Sequence, residues 1–175
     1  MSIPQQQIRA RYDGQCLVVY QAFNDAIADA ALEAQRFVAP FSFGRMTWVK
    51  PSFLWMMERC GYATKPQQER VLAVHLRRAH FDAALAAAVS TSVTSQDAPL
   101  RVQWDPERDR RGGKLPYRSL QLGIGREVSR EYATKWINGI EDVTPLVKKV
   151  DALRRAGEFE RAEALLPVER AYPER

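Results

Sequence analysis

Apolar and polar residues alternate over Leu100–Trp104 and again over Leu120–Ile124, and short β-rich apolar runs occupy Gln15–Tyr20 and Val71–Leu76. Each predicts a strand. Ile8–Tyr12 and Gln15–Tyr20 flank Asp13-Gly14, a dipeptide that tolerates positive φ at both centres of a tight turn, so these two runs are expected to form a β-hairpin. From Asn24 the period lengthens. Ile27, Ala31, Ala34 and Val38 form one stripe of an alanine-rich helix, with Asn24 as its cap and Pro40 as its stop.

Phe41–Gly44 reads as a loop, Arg45–Val49 as a short strand, and Pro51–Cys60 as a helix that opens on a proline and ends on a left-handed Gly61. Phe81–Val89 is a second alanine-rich helix, ended by the polar loop Ser90–Gln96. Pro106, Gly112, Gly113 and Pro116 predict a mobile basic loop between the strands at 100–104 and 120–124. After Gly125 the pattern is helical: Glu127–Ile140, Val143–Ala156 behind an Asp142 cap, and Glu158–Leu166 before Pro167. The fold class expected is α+β. A single domain over 1–175 should hold a mixed, mostly antiparallel sheet with helices over about 8–125, and a helical C-terminal third over about 126–166. A doubly wound sheet is disfavoured, because Gly123-x-Gly125 lacks the third glycine of the dinucleotide fingerprint.

Composition narrows the functional classes. With 46% hydrophobic residues the 175-residue chain can bury one substantial core. No run approaches the roughly 20 apolar residues of a membrane span, and Met1–Gln7 is polar, so a cytoplasmic protein with no membrane partner is expected. Cys16, Cys60, His75 and His80 form no metal-ligand spacing, and both cysteines are expected as buried free thiols. The formal net charge of +5 favours polyanionic partners, a nucleotide or RNA or DNA.

Candidate chemistry gathers in three places. Arg9 and Arg11, two apart on a strand, would share a face beside Tyr20 or Gln21 as a clamp for phosphate, or else form a solvated strand face. Arg45, Thr47, Trp48, Lys50 and Ser52 interleave cations and an indole at a helix start, where free backbone N–H groups favour an anion. Asp105, Glu107 and Asp109 follow a strand end, a position suited to a general base; they equally suit pairing with Arg108, Arg110 and Arg111. Glu107 is the catalytic candidate.

Several long motifs carry a family likeness: Ile8-Arg9-Ala10-Arg11-Tyr12-Asp13, Arg45-Met46-Thr47-Trp48-Val49-Lys50-Pro51-Ser52-Phe53-Leu54-Trp55-Met56-Met57, Val102-Gln103-Trp104-Asp105-Pro106-Glu107-Arg108 and Tyr117-Arg118-Ser119-Leu120-Gln121. Together they resemble the domain-of-unknown-function 4291 family over nearly the whole chain. More distantly, the chain resembles ADP-ribosyltransferase-type folds, in which a split sheet holds nicotinamide dinucleotide in a cleft. That resemblance implies NAD as cofactor, with Arg9 or Arg11, the Thr47–Ser52 segment, and Glu107 or Gln121 filling the family's positions, although its usual Ser-Thr-Ser or His-Tyr-Glu wording is absent. The function expected is a nucleotide-binding transferase acting on nucleic acid or another acceptor. A non-catalytic RNA- or DNA-binding module built on the same cations and Trp48 is the alternative.

Overall fold

The computed structural model describes residues 4–92 and 97–172. Its strands are β1 (Arg9–Ala10), β2 (Cys16–Phe23), β3 (Thr47–Val49), β4 (Arg70–Arg77), β5 (Val89–Ser90), β6 (Leu100–Arg108), β7 (Lys114–Ile124), β8 (Ile137–Asp142) and β9 (Arg170–Ala171). Its α-helices are α1 (Asp25–Ala34), α2 (Phe53–Cys60), α3 (Arg78–Ala87), α4 (Arg126–Glu131), α5 (Thr144–Arg155) and α6 (Phe159–Glu163), with a π-helical turn over Tyr132–Trp136. The architecture is α+β. One sheet runs β3-β7-β6-β5, a second β2-β4-β8, and β1 pairs with β9; all pairings are antiparallel except β5 with β6.

The sheet β2-β4-β8 is a middle layer, covered on both faces. Leu17, Val19, Leu72, Val74 and Leu76 point into one apolar cluster, with α1, α3 and the inner face of the other sheet. Val18, Tyr20, Val71 and Ala73 point the opposite way, onto α2 and α5 through Phe53, Met56, Met57 and Val147. Burial on both faces explains why β2 and β4 read as continuous apolar runs and not as an alternation. The free edge of β2, opposite β4, meets the residue after β3: Tyr20 N–H donates to the Lys50 carbonyl at 2.8 Å, and Lys50 N–H to that of Tyr20 at 3.3 Å. Beyond this bridge the two sheets diverge.

Several expectations hold. Asn24 caps α1 by accepting from the Ile27 N–H at 3.0 Å, Gly61 ends α2 at φ 59°, and both cysteines are buried and free. Others are corrected. Gly14 does not take positive φ; the first turn is closed instead by the Asp13 carboxylate, which accepts from the N–H groups of Gln15 and Cys16. Helix α1 stops at Ala34, with Gln35 left-handed, four residues short of Val38. Ser52, not Pro51, opens α2, its hydroxyl accepting from the Trp55 N–H at 3.1 Å.

The expected mobile loop is a hairpin. β6 runs to Arg108 and β7 starts at Lys114; Asp109 closes the tip by accepting from the N–H groups of Arg111 and Gly113, and Gly112 turns at φ 83°. A register shift between Pro106 and Arg108 absorbs the proline. The expected helix Glu127–Ile140 is α4, a π-helical turn and β8, because Ile137–Asp142 finds β4 as a partner. Long-range pairing overrides the local pattern there. Of the polar loop at 90–96, positions 93–96 lie outside the described residues. No helix among the described residues is long and apolar enough to cross a membrane.

Gly123 faces Trp48 across β3 and β7, and a Cβ built there would lie 2.7 Å from the Met46 sulfur and 2.9 Å from the Trp48 ring. Gly123→Ala should therefore cost about 1–3 kcal/mol by overpacking and displace the indole. Denaturant unfolding together with tryptophan fluorescence would show both effects; unchanged values would mean that the ring moves freely.

Candidate functional site

The wedge between the parting sheets is a cleft of about 640 Å³, lined from β2 by Gln21, Ala22 and Phe23, from β3 and its approach by Arg45, Met46, Thr47, Trp48 and Lys50, and from α2 by Met56 and Arg59. It carries three cations and no carboxylate among its lining residues. Lys50 is the unusual one. It is only 7% exposed, because the Tyr20 bridge pins its backbone on both sides and β3 ends against the core. Its ammonium has no hydrogen-bond or ion-pair partner among the described residues. Burial, with Arg59 adding like-charge repulsion, pulls its pKa down to about 8, against the pull of Cys60 and Asp105.

The cleft floor is held by a buried chain of hydrogen bonds. Tyr132 OH donates to Gln21 Oε1 at 2.6 Å, and Gln21 Nε2 donates to Thr47 Oγ1 at 2.7 Å. Tyr132 is fully buried on the π-helical turn, and burial raises its phenol far above its ordinary range. Gln21 is thereby fixed in orientation with one amide face committed at each end.

A second constellation sits on the other face of α2. Leu54 faces this side while Met56 and Arg59 face the cleft, 200° and 500° further round the helix at about 100° per residue. Glu107, 4% exposed, accepts from Ser52 Oγ at 2.8 Å and from the Arg108 N–H at 2.9 Å. Glu169 accepts from the Phe53 N–H at 2.7 Å, so two carboxylates serve the first turn of one helix. Burial raises the pKa of Glu107, opposed by its hydrogen bonds and by Arg9 and Arg108. Burial pushes Glu169 up to about 8; the Phe53 N–H opposes this, the Glu107 charge adds to it, and Arg9 opposes it. Arg9, Tyr117, Arg108 and Glu169 line a pocket of about 590 Å³ here.

The residues singled out from sequence therefore divide. Arg45, Thr47, Trp48 and Lys50 share the cleft. Ser52, Glu107 and Arg9 meet across α2, where Arg9 donates to Gln7 Oε1 at 3.1 Å and to the Glu169 carbonyl at 3.4 Å. Arg9 and Arg11 do not form a clamp beside Tyr20: β1 covers only Arg9–Ala10 and pairs with β9, and the Arg11 side chain is exposed. Tyr20 is core, packed edge-on against Phe53 at 5.4 Å, and its phenol is raised by burial. Gln121 does not line the cleft; it donates to Asp105 Oδ2 at 2.8 Å.

Arg59, Tyr132 and Glu169 are absent from the sequence reading, and Gln21 enters it only as a neighbour of Arg9 and Arg11. Arg59 had a sequence signal, since it lies three residues after Met56 on a helix starting near Lys50. Glu169 had none, because the C-terminal segment returns to α2 only in three dimensions.

Glu169 gives a signed pH dependence. Its folded pKa of about 8 exceeds that of an unfolded carboxyl, about 4.3, so the folded chain keeps a proton that the unfolded chain has lost. Stability at this site falls as pH rises from about 4 to about 8, and the loss is complete above that. Hydrogen exchange at the Tyr172 N–H, which donates to the Ile8 carbonyl at 2.7 Å, should lose protection between about pH 4 and 8 after correction for intrinsic rates. Glu169→Gln should flatten that dependence, and an unaltered slope in the variant would remove Glu169 as its cause.

No curated protein matches the chain. The family model described as "Domain of unknown function (DUF4291)" matches residues 7–172, from the strand that carries Arg9 to the tyrosine that closes the C-terminal pairing. The chain belongs to the domain-of-unknown-function 4291 family.

Proposed function

We propose that the protein is a nucleotide-binding enzyme whose ligand occupies the cleft between the two sheets, with a nicotinamide dinucleotide as the cofactor to test and group transfer to an acceptor as the reaction. The observation that carries this reading is a cleft with Arg45, Lys50 and Arg59 and no acid on its walls. Three cations with no carboxylate among the residues lining the cleft disfavour one another until an anion arrives, and a pyrophosphate would supply it. Trp48 offers an indole for base stacking, and the polar side chains Gln21, Thr47, Asn24, Gln67 and Gln68 line the same space for ribose or base edges.

In this reading Lys50 has two uses. As ammonium it holds phosphate; as free amine, populated near neutral pH, it takes the proton from an attacking acceptor. Glu107 supports the site at one remove, fixing Ser52 and so the helix that carries Arg59. The wider basic surface would serve a nucleic-acid acceptor, with affinity that falls steeply with salt.

Calorimetry tests the reading. NAD or ADP should bind, and Lys50→Met should weaken binding at least about tenfold, as loss of one charge-assisted contact does. Because the bound phosphate favours the ammonium, affinity should hold below about pH 8 and decline above it. Absence of heat with every nucleotide, together with salt-sensitive RNA binding that needs Trp48, would replace the enzyme by a nucleic-acid-binding module.

A further inference from the structure

We propose that Lys50 is an imine-forming residue, condensing with the carbonyl carbon of a small phosphorylated aldehyde whose phosphate rests on Arg59 and Arg45. This goes beyond nucleotide binding and does not depend on it.

The first support is the state of the amine. A lysine side chain ordinarily keeps its charge in water or against a carboxylate, and Lys50 has little of the first and none of the second: it is 7% exposed, has no partner among the described residues, and lines a cleft without an acid. Desolvation and a neighbouring cation are the two conditions that turn a lysine into a nucleophile, and Lys50 has both, with a pKa of about 8. The second support is fixed geometry. Both backbone polar groups of Lys50 are bonded to Tyr20, so the root of the side chain is immobile and only its methylenes choose the attack angle.

The third support is what surrounds it. Arg59 and Arg45 line the same space and would hold a phosphate, which excludes neutral aldehydes of the same shape from equally tight binding. Thr47 accepts its hydrogen bond from Gln21, and its own hydroxyl proton has no acceptor among the described residues. That proton is available to the oxygen that departs from the carbinolamine.

The step balances without a co-reactant. The ammonium releases a proton, the nitrogen lone pair adds to the carbonyl carbon, and the carbonyl oxygen takes up a proton to give a carbinolamine. Loss of that hydroxyl as water, with proton transfer, leaves the protonated imine; aldehyde and ammonium have become iminium and one water, with no oxidation or reduction.

The test uses the full chain, glyceraldehyde 3-phosphate and borohydride, followed by peptide mass mapping. Borohydride delivers the hydride that converts the imine to a stable secondary amine. At about pH 7.5 an amine with a pKa near 8 has a free-base fraction about two hundredfold above that of an ordinary lysine near 10.4, so the adduct at Lys50 should exceed that at Lys65, Lys114, Lys135, Lys148 or Lys149 by at least about tenfold. Unphosphorylated glyceraldehyde should label Lys50 several-fold less, and Arg59→Ala should erase that preference while the protein unfolds at an unchanged temperature. Adducts spread evenly over the lysines, or equal labelling by the two aldehydes, would overturn the proposal. Because the mapping is done on the unaltered chain, it does not require a Lys50 variant that folds. Selective labelling of Lys50 in a protein that gives no heat with nucleotides would support the imine while refuting the nucleotide reading.

Discussion

One pair of backbone hydrogen bonds, between Tyr20 and Lys50, sets the rest of the arrangement. It is the point where the sheet of β2, β4 and β8 touches the sheet of β3, β7, β6 and β5 before the two part. A strand crossing into an apolar layer must satisfy its polar backbone groups, and this bridge does so for both residues at once. The consequence is a lysine carried to the bottom of a wedge. Its amine has no ion-pair partner among the described residues, and the wedge becomes a cationic cleft.

The first turn of α2 is the second organising point, because three segments distant in sequence meet there. Ser52 caps the helix and donates to Glu107 from β6, while Glu169 from the C-terminal segment receives the Phe53 N–H. Two carboxylates beside one another, one buried and one half-buried, would repel if both were charged. The helix N-terminus and Arg9 offset part of that, and the raised pKa of each carboxyl accounts for the remainder. Thus α2 is held rigidly on one side by acids while it presents Arg59 to the cleft on the other.

Local pattern was a good guide wherever one face of an element was buried or a cap was explicit. β6, the end of β7, the Asn24 cap and the Gly61 stop all follow from alternation or from a side chain that serves a nearby N–H. It failed where a distant partner decided. Ile137–Asp142 follows a helical pattern yet pairs with β4, and Lys114–Tyr117, which follows two glycines and contains Pro116, is a strand because β6 lies alongside. Asp13-Gly14 turned as expected, but through a carboxylate accepting backbone N–H groups and not through a left-handed glycine.

The same division runs through the site. The sequence by itself determined the α+β class, the helix start after Lys50, and the grouping of Arg45, Thr47, Trp48 and Lys50, because contiguous residues around one turn or strand end cannot be far apart. Only the tertiary structure decided which side of α2 each charge faces. Helical periodicity puts Arg59 opposite Leu54, but not which of them meets the cleft. Chain return alone brings Glu169 to Phe53, takes Arg9 away from Lys50, and leaves Glu107 behind Ser52. Those placements depend on loop closures over 55 to 160 residues, and no local pattern records them.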